Sequence, residues 1–285
     1  MKSSKKEALA GILFISPSIC GFMVFFMVPF VISLAYCFTD TSKKFVGFKN
    51  FIDLFGNSAF KLASINTLRF NLVSVPLIML VSFLIALLLN RNIKGVTYFR
   101  TFFIIPLVVP VASVILVWNI IFSPNGVLNN LIMRFGIEPV NWLRSGWSTG
   151  VVALVYVWKN CGYNMVLFLA GLGNIPKEYY EAAYIDGAGP FTCLIKITLP
   201  YMVPTSFFVL IISIINSFKV FREVYLLAGK YPYQDIYLLQ HFMNNNFFNL
   251  SYQKLTTAAF LMMVVICLMM LTLYRMESRF GRDLS

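Results

Sequence analysis

Long apolar blocks separated by short polar stretches set the pattern of this chain. Six blocks reach the roughly 20 residues that a helix needs to cross a bilayer. They lie at about Leu9–Phe38, Ser64–Leu89, Phe102–Phe122, Gly150–Gly173, Tyr201–Phe221 and Leu255–Tyr274. Leu72 to Leu89 and Leu261 to Leu273 carry no charge. The pattern predicts an all-α integral membrane protein with six transmembrane helices in one membrane domain. Its first span is at about 9–38 and its core spans lie within about 64–274. Pro17 and Pro29 fall in the first span, Pro76 in the second, and Pro106 and Pro110 in the third. Prolines in membrane helices imply kinks. Kinked helices lining a cavity and ordinary membrane packing account for them equally.

Between spans four and five lies a polar island, residues 174–200. Asn174 can cap a helix, Pro176 suits a first turn, and Glu178 places a negative charge at the N-terminal end. Tyr179 to Asp186 then reads as about two helical turns. Gly187 and Gly189 can end it, because glycine adopts the left-handed conformation without strain. Pro190 blocks continuation, and a second short helix over about Phe191–Leu199 leads to Pro200. Ala182 and Ala183 leave a shallow face beside Glu181. A docking face for another protein and a helix lying on lipid headgroups both fit that face.

Charge orients the chain weakly. With the N-terminus inside, the inner segments carry 11 Lys and Arg in 56 residues and the outer segments 10 in 86. Lys and Arg concentrate on the cytoplasmic side of membrane proteins. Arg91, Lys94 and Arg100 in one short loop are the best support. Both termini are then expected in the cytoplasm. The basic start Met1–Lys6 is followed by an apolar block too long for a cleaved signal, so a retained first span is expected.

Composition agrees: of 285 residues 59% are hydrophobic and 12% charged, against about 25% charged in an ordinary soluble domain. The net charge of +12 is scattered between apolar runs, which reads as basic membrane flanks rather than a nucleic-acid surface. Five dispersed cysteines show no disulfide or metal spacing and read as small buried hydrophobes. His241, the single histidine, reads as a plain loop residue. A phosphate-cradling Gly-x4-Gly-Lys-Ser/Thr loop is absent, and nearly all of the 11 acidic residues lie outside the spans. That disfavours a proton-relay antiporter, which needs intramembrane carboxylates.

The island carries more. Glu181-Ala182-Ala183, Gly187, Ile197 and Leu199-Pro200 fill the signature Glu-Ala-Ala, three residues, Gly, nine residues, Ile, one residue, Leu-Pro. The chain therefore resembles the permeases of binding-protein-dependent ABC importers. Phe45–Phe51, Asn66-Thr67, Ala86–Asn90, Phe99-Arg100-Thr101, Pro106 and Trp118 extend the likeness to the sugar-importer permeases, most closely the first permease of maltose-type and glycerol-phosphate-type systems. Ala228-Gly229-Lys230-Tyr231-Pro232 departs from the family's usual Gly-Gly-Pro. The C-terminal Arg279–Ser285 is unlike the tail of the second permease.

The resemblance implies a type I importer architecture with a cytoplasmic coupling helix. Glu181, Ala182, Ala183, Asp186, Gly187 and Ala188 would couple it to an ATPase. It implies a second permease subunit, two cytoplasmic ATPase subunits that bind ATP and Mg, and an extracytoplasmic sugar-binding protein. It implies a bacterial cytoplasmic membrane, a non-catalytic role for this chain and no cofactor of its own. A secondary transporter or channel acting without an ATPase is the alternative. A membrane enzyme is disfavoured, since no catalytic constellation is found.

For the cargo, polar residues inside the spans are the candidates. Span four offers Lys159, Asn160, Tyr163 and Asn164; span five offers Ser213, Asn216, Ser217 and Lys219. Asn160 and Asn164 are four apart and share a helix face. Amides donate and accept hydrogen bonds, as sugar hydroxyls require, and Tyr163 could stack on a ring. Interhelical hydrogen bonding is the other reading for Asn and Ser, and snorkelling to an interface is the other for Lys219. If both lysines face the path, the cargo is anionic.

Overall fold

The computed structural model describes residues 5–90 and 95–280; Arg91 and Lys94, part of Met1–Lys6 and part of the Arg279–Ser285 tail lie outside them. The described residues form helices without a β-strand. Six helical stretches are long and apolar enough to cross a membrane: Leu9–Cys37, Ser58–Leu89, Val111–Met133, Ser148–Gly173, Val203–Ala228 and Tyr252–Glu277. The chain divides into two compact units, residues 1–61 with 243–263, and residues 62–242 with 264–285.

In the first unit, helix α1 (Lys5–Phe22) passes through a π-helical turn, Met23–Met27, into α2 (Val28–Cys37). The wide turn has a local cause. Pro29 has no N–H to give and its ring would clash with the carbonyl four residues earlier, and that residue, Phe25, sits in the π turn. Most side chains of this stretch are exposed, Phe14 at 90% and Phe25 at 75%, while Cys37 at its end is buried. After it, α3 (Lys49–Gly56) is held by one amide. Asn50 Nδ2 donates to the carbonyls of Tyr36, Cys37 and Thr39 at 3.3, 3.0 and 2.9 Å. Phe38, Phe48 and Phe51 pack around this clasp.

Helix α4 (Ser58–Leu89) begins earlier than the apolar pattern predicts, because Asn57 caps it by accepting the N–H of Phe60 at 3.0 Å. Pro76 lies within this helix. The third span differs from expectation. Helix α5 (Val96–Val108) ends at an extended Val109–Pro110 pair, and α6 (Val111–Phe122) starts afresh. Thirteen residues at about 1.5 Å each fall short of a bilayer core of about 30 Å. The stretch long and apolar enough to cross is Val111–Met133, α6 with α7 (Val127–Met133), so the break at Val109–Pro110 falls inside the predicted Phe102–Phe122. Proline disfavours the helical conformation in the residue before it, which is why the break falls at Val109.

The second unit packs around α8 (Ser148–Gly173), whose Val152, Val155, Tyr156, Met165 and Phe168 are buried. Lipid is as apolar as leucine, so close packing and interhelical hydrogen bonds must join the helices. Both are present. A Cβ on Gly162 would stand 1.9 Å from the carbonyl oxygen of Phe103, so only glycine lets α5 approach here. Tyr156 Oη donates to the Ser213 carbonyl at 2.9 Å. Asn66 Nδ2 donates to the carbonyls of Gln234 and Tyr237, and Thr67 Oγ1 accepts the N–H of Leu239. These bonds fix the segment 234–239 against α4.

The island comprises α9 (Lys177–Ile185), then α10 (Pro190–Cys193), a π turn over Leu194–Thr198, and α11 (Leu199–Tyr201). The fifth span is α12 (Val203–Phe218), a turn at Lys219–Val220, and α13 (Phe221–Ala228). It runs seven residues beyond the predicted Phe221 and so encloses Glu223. Helices α14 (Leu239–Phe248) and α15 (Tyr252–Phe280) complete the chain. His241 is not a loop residue: it lies on α14, fully buried, with its ring 4.7 Å from that of Phe221.

Candidate functional site

The island folds as two short helical pieces with a sharp corner. Pro176, extended at ψ 135°, is the N-cap of α9 in place of the expected Asn174, which instead closes the preceding helix by donating its N–H to the Gly171 carbonyl. At the far end Gly187 takes φ +80°. Its N–H donates to Tyr184 and that of Ala188 donates to Ala183, at 3.1 and 2.8 Å. This is a Schellman ending, which satisfies the last carbonyls of the helix. Gly189 is extended and caps α10 instead of ending α9, and Pro190 opens that helix.

Nine residues are too few for a stable helix in water, so tertiary contacts must hold α9. Tyr180 Oη and Thr198 Oγ1 share a hydrogen bond of 2.9 Å, and the Tyr179 and Tyr201 rings lie 5.2 Å apart. Tyr180 and Tyr184, with Leu87, Leu172, Phe191 and Leu194, line a cavity of about 480 Å³. No residue of α9 is buried. Glu181, Ala182, Asp186 and Gly187 are exposed, Ala183 and Ala188 half-buried, and Ile185 and Phe191 stand 86% and 72% exposed. The corner therefore presents apolar side chains beside carboxylates on an anchored helix.

Deeper in the unit, a cavity of about 160 Å³ is lined by Tyr156, Lys159, Asn160, Asn216, Lys219, Val220, Arg222 and Glu223. It brings together four predicted residues: Lys159, Asn160, Asn216 and Lys219. The other four lie elsewhere. Tyr163 is 37% exposed and outside the lining. Asn164 Nδ2 donates to Ser213 Oγ at 2.7 Å, and Ser217 Oγ donates to the Ile214 carbonyl, all three residues being buried. Asn160 and Asn164 share a helix yet differ in role, one at the cavity and one sealed between α8 and α12.

Lys159 forms an ion pair with Glu223 Oε1, and the two side chains are only 11% and 9% exposed. Glu223 Oε2 is buried without a hydrogen-bond partner among the described residues. Sequence reasoning passed over Glu223 and Arg222 because the apolar block seemed to end at Phe221. The signal was available in Phe221–Ala228, where apolar positions resume at helical spacing around both charges. Three cations and one carboxylate line this cavity, so it favours anions. A further cavity of about 480 Å³ is lined by Asn119, Asn141, Arg144 and Tyr233, and by Tyr231 and Pro232 of the segment that departs from the family pattern.

Residues 78–281 match the family described as the binding-protein-dependent transport system inner membrane component. A probable ABC transporter permease, YesP of Bacillus subtilis, is 34% identical over 97% of this chain and 93% of the relative. The trehalose/maltose transport permease MalF of Thermococcus litoralis is 32% identical over 99% of this chain and 98% of its own. A chain of a bacterial ABC transporter involved in import of the acidic polysaccharide alginate superposes with a TM-score of 0.85, at 25% identity over 96% of both chains. The chain belongs to the inner-membrane components of binding-protein-dependent transport systems, as a permease of the sugar ABC importer type.

Proposed function

We propose that this chain forms one half of the membrane pathway of an ATP-driven carbohydrate importer, with acidic saccharides as its cargo class. A second permease completes the pathway, one of two ATPase subunits that hold ATP and Mg docks on the Glu181–Ala188 corner, and a binding protein delivers cargo on the opposite face. Both termini then lie in the cytoplasm with that corner.

The observation that carries the reading is the corner itself. A nine-residue helix is fixed at both ends and anchored through Tyr180, yet exposes Ile185, Phe191 and Glu181. A rigid lever with an uncovered mixed face is what transmission of a partner's motion requires. The acidic cargo is supported by the three cations at the inner cavity and by the named cargo of the alginate transporter.

Co-purification with a candidate ATPase subunit tests the reading. Glu181→Lys and Gly187→Asp should lower saccharide-stimulated ATP hydrolysis and uptake while membrane insertion persists. Undiminished ATP-coupled uptake in both variants, or uptake by the permeases without the ATPase, would sink it.

A further inference from the structure

The ion pair raises a question that helix packing does not answer. Lys159 stands on α8 and Glu223 on α13, and both line the same cavity. Replacing a buried pair by apolar groups of similar volume is often neutral or stabilising, so a purely structural bridge has little reason to sit beside a polar path. We propose that Glu223 is an internal stand-in for the carboxylate of the cargo. It holds Lys159 while the path is empty and gives Lys159 up to a uronate carboxylate as the saccharide passes. The pair then determines specificity for acidic over neutral saccharides. This inference rests on the carbohydrate-permease reading.

Four observations carry it. First, removing one member of a buried pair leaves an uncompensated charge. A neutral sugar offers Lys159 nothing in exchange for Glu223, whereas a carboxylate makes the exchange charge for charge. Second, Glu223 is not stranded by the exchange, because Lys219 and Arg222 line the same cavity. Third, Glu223 is only half satisfied. Its Oε2 is buried without a partner among the described residues, so a cation or a sugar hydroxyl donating to it gains a bond that the closed pair lacks. Fourth, the volume of about 160 Å³ is below the roughly 300–1,000 Å³ of ordinary ligand sites. That suits a path drawn shut by the pair better than a site holding a ring. Asn160 and Asn216, also in the lining, supply amides for the hydroxyls of either kind of sugar.

The test uses the whole transporter, with both permeases, the ATPase and the binding protein, in proteoliposomes. Uptake of a uronic-acid trisaccharide is compared with uptake of maltotriose. Because every variant meets the same binding protein, the acidic-to-neutral uptake ratio isolates the contribution of the path. Lys159→Met should lower that ratio roughly tenfold, the equivalent of about 1.4 kcal/mol. Glu223→Gln, which keeps the shape and removes the competitor, should raise it and lower the half-saturating concentration of the acidic probe. The double variant Lys159→Met/Glu223→Gln removes both charges, so the thermal midpoint of the assembly should recover while the ratio stays low. Return of the native ratio in the double variant would show that the pair only joins helices, and would overturn the proposal. Native uptake of maltotriose without the acidic probe would overturn it and leave the carbohydrate reading standing; uptake of neither would overturn both.

Discussion

Asn164 on α8 donates its side-chain amide to the hydroxyl of Ser213 on α12 at 2.7 Å, and each residue is 1% exposed. With the Tyr156 hydroxyl on the Ser213 carbonyl, two adjacent bonds tie these helices where lipid supplies no hydrophobic drive between them. Ser213→Ala strands a buried amide, which costs about 1–3 kcal/mol in general and nearer 0.6 kcal/mol where membrane helices find other partners. The thermal midpoint in detergent should fall by a few degrees. Asn164→Leu added to Ser213→Ala removes both polar groups and should recover part of the loss. A change in saccharide preference with an unmoved midpoint would return Ser213 to the transport path.

Gly187 closes α9 at φ +80°, and nothing lies within 4 Å of a Cβ placed on it. Substitution there is penalised by backbone conformation alone. Left-handed geometry costs an ordinary residue roughly 1–2 kcal/mol, while asparagine tolerates it better. Gly187→Val should therefore disturb the corner more than Gly187→Asn. In the assembled transporter, saccharide-stimulated ATP hydrolysis should fall several-fold with Val and clearly less with Asn. Equal rates in the two variants would separate coupling from the shape of this corner.

The apolar runs located most spans within a few residues, because length and hydropathy are local properties. The third and fifth spans were misplaced for different reasons. Pro110 broke an apolar run that composition alone read as continuous. The turn at Lys219–Val220 instead hid the continuation of span five into α13, which carries its own charges. The signature corner was legible as a motif, yet its N-cap is Pro176 and not Asn174, which ends the preceding helix. The pairing of Lys159 with Glu223 spans 64 residues, and the clasps made by Asn50 and Asn66 also join distant segments; no local pattern announces such bonds.

His241 is buried against Phe221, with Nδ1 accepting the N–H of Leu238 at 3.3 Å. Burial pushes its pKa down to about 4, below the usual histidine value near 6.5. Between these values the unfolded chain takes up a proton that the folded protein refuses. Stability must then fall as pH drops from about 6.5 toward 4. Thermal midpoints measured at pH 7 and pH 5 should differ more in the native protein than in His241→Gln, even though the variant starts lower. The same pH slope in both would place the acid sensitivity elsewhere.

Asn129 is fully buried on α7 and uses both ends of its amide. Nδ2 donates to the carbonyls of Ser123, Pro124 and Val140 at 3.2, 2.9 and 2.9 Å. Oδ1 accepts from the Val140 N–H at 3.0 Å and from Trp142 Nε1 at 2.9 Å. Asn129→Asp preserves the accepting oxygen but turns the donor into a second acceptor facing three carbonyls. In a buried site that stacks acceptor against acceptor and adds a charge, each costly without a partner. Asn129→Asp should therefore lower the thermal midpoint more than Asn129→Ala, which only empties the clasp. Limited proteolysis of purified protein should show cleavage within residues 123–142 in the aspartate variant first. If alanine proves the more damaging change, the clasp acts through the volume of the side chain rather than its hydrogen bonds.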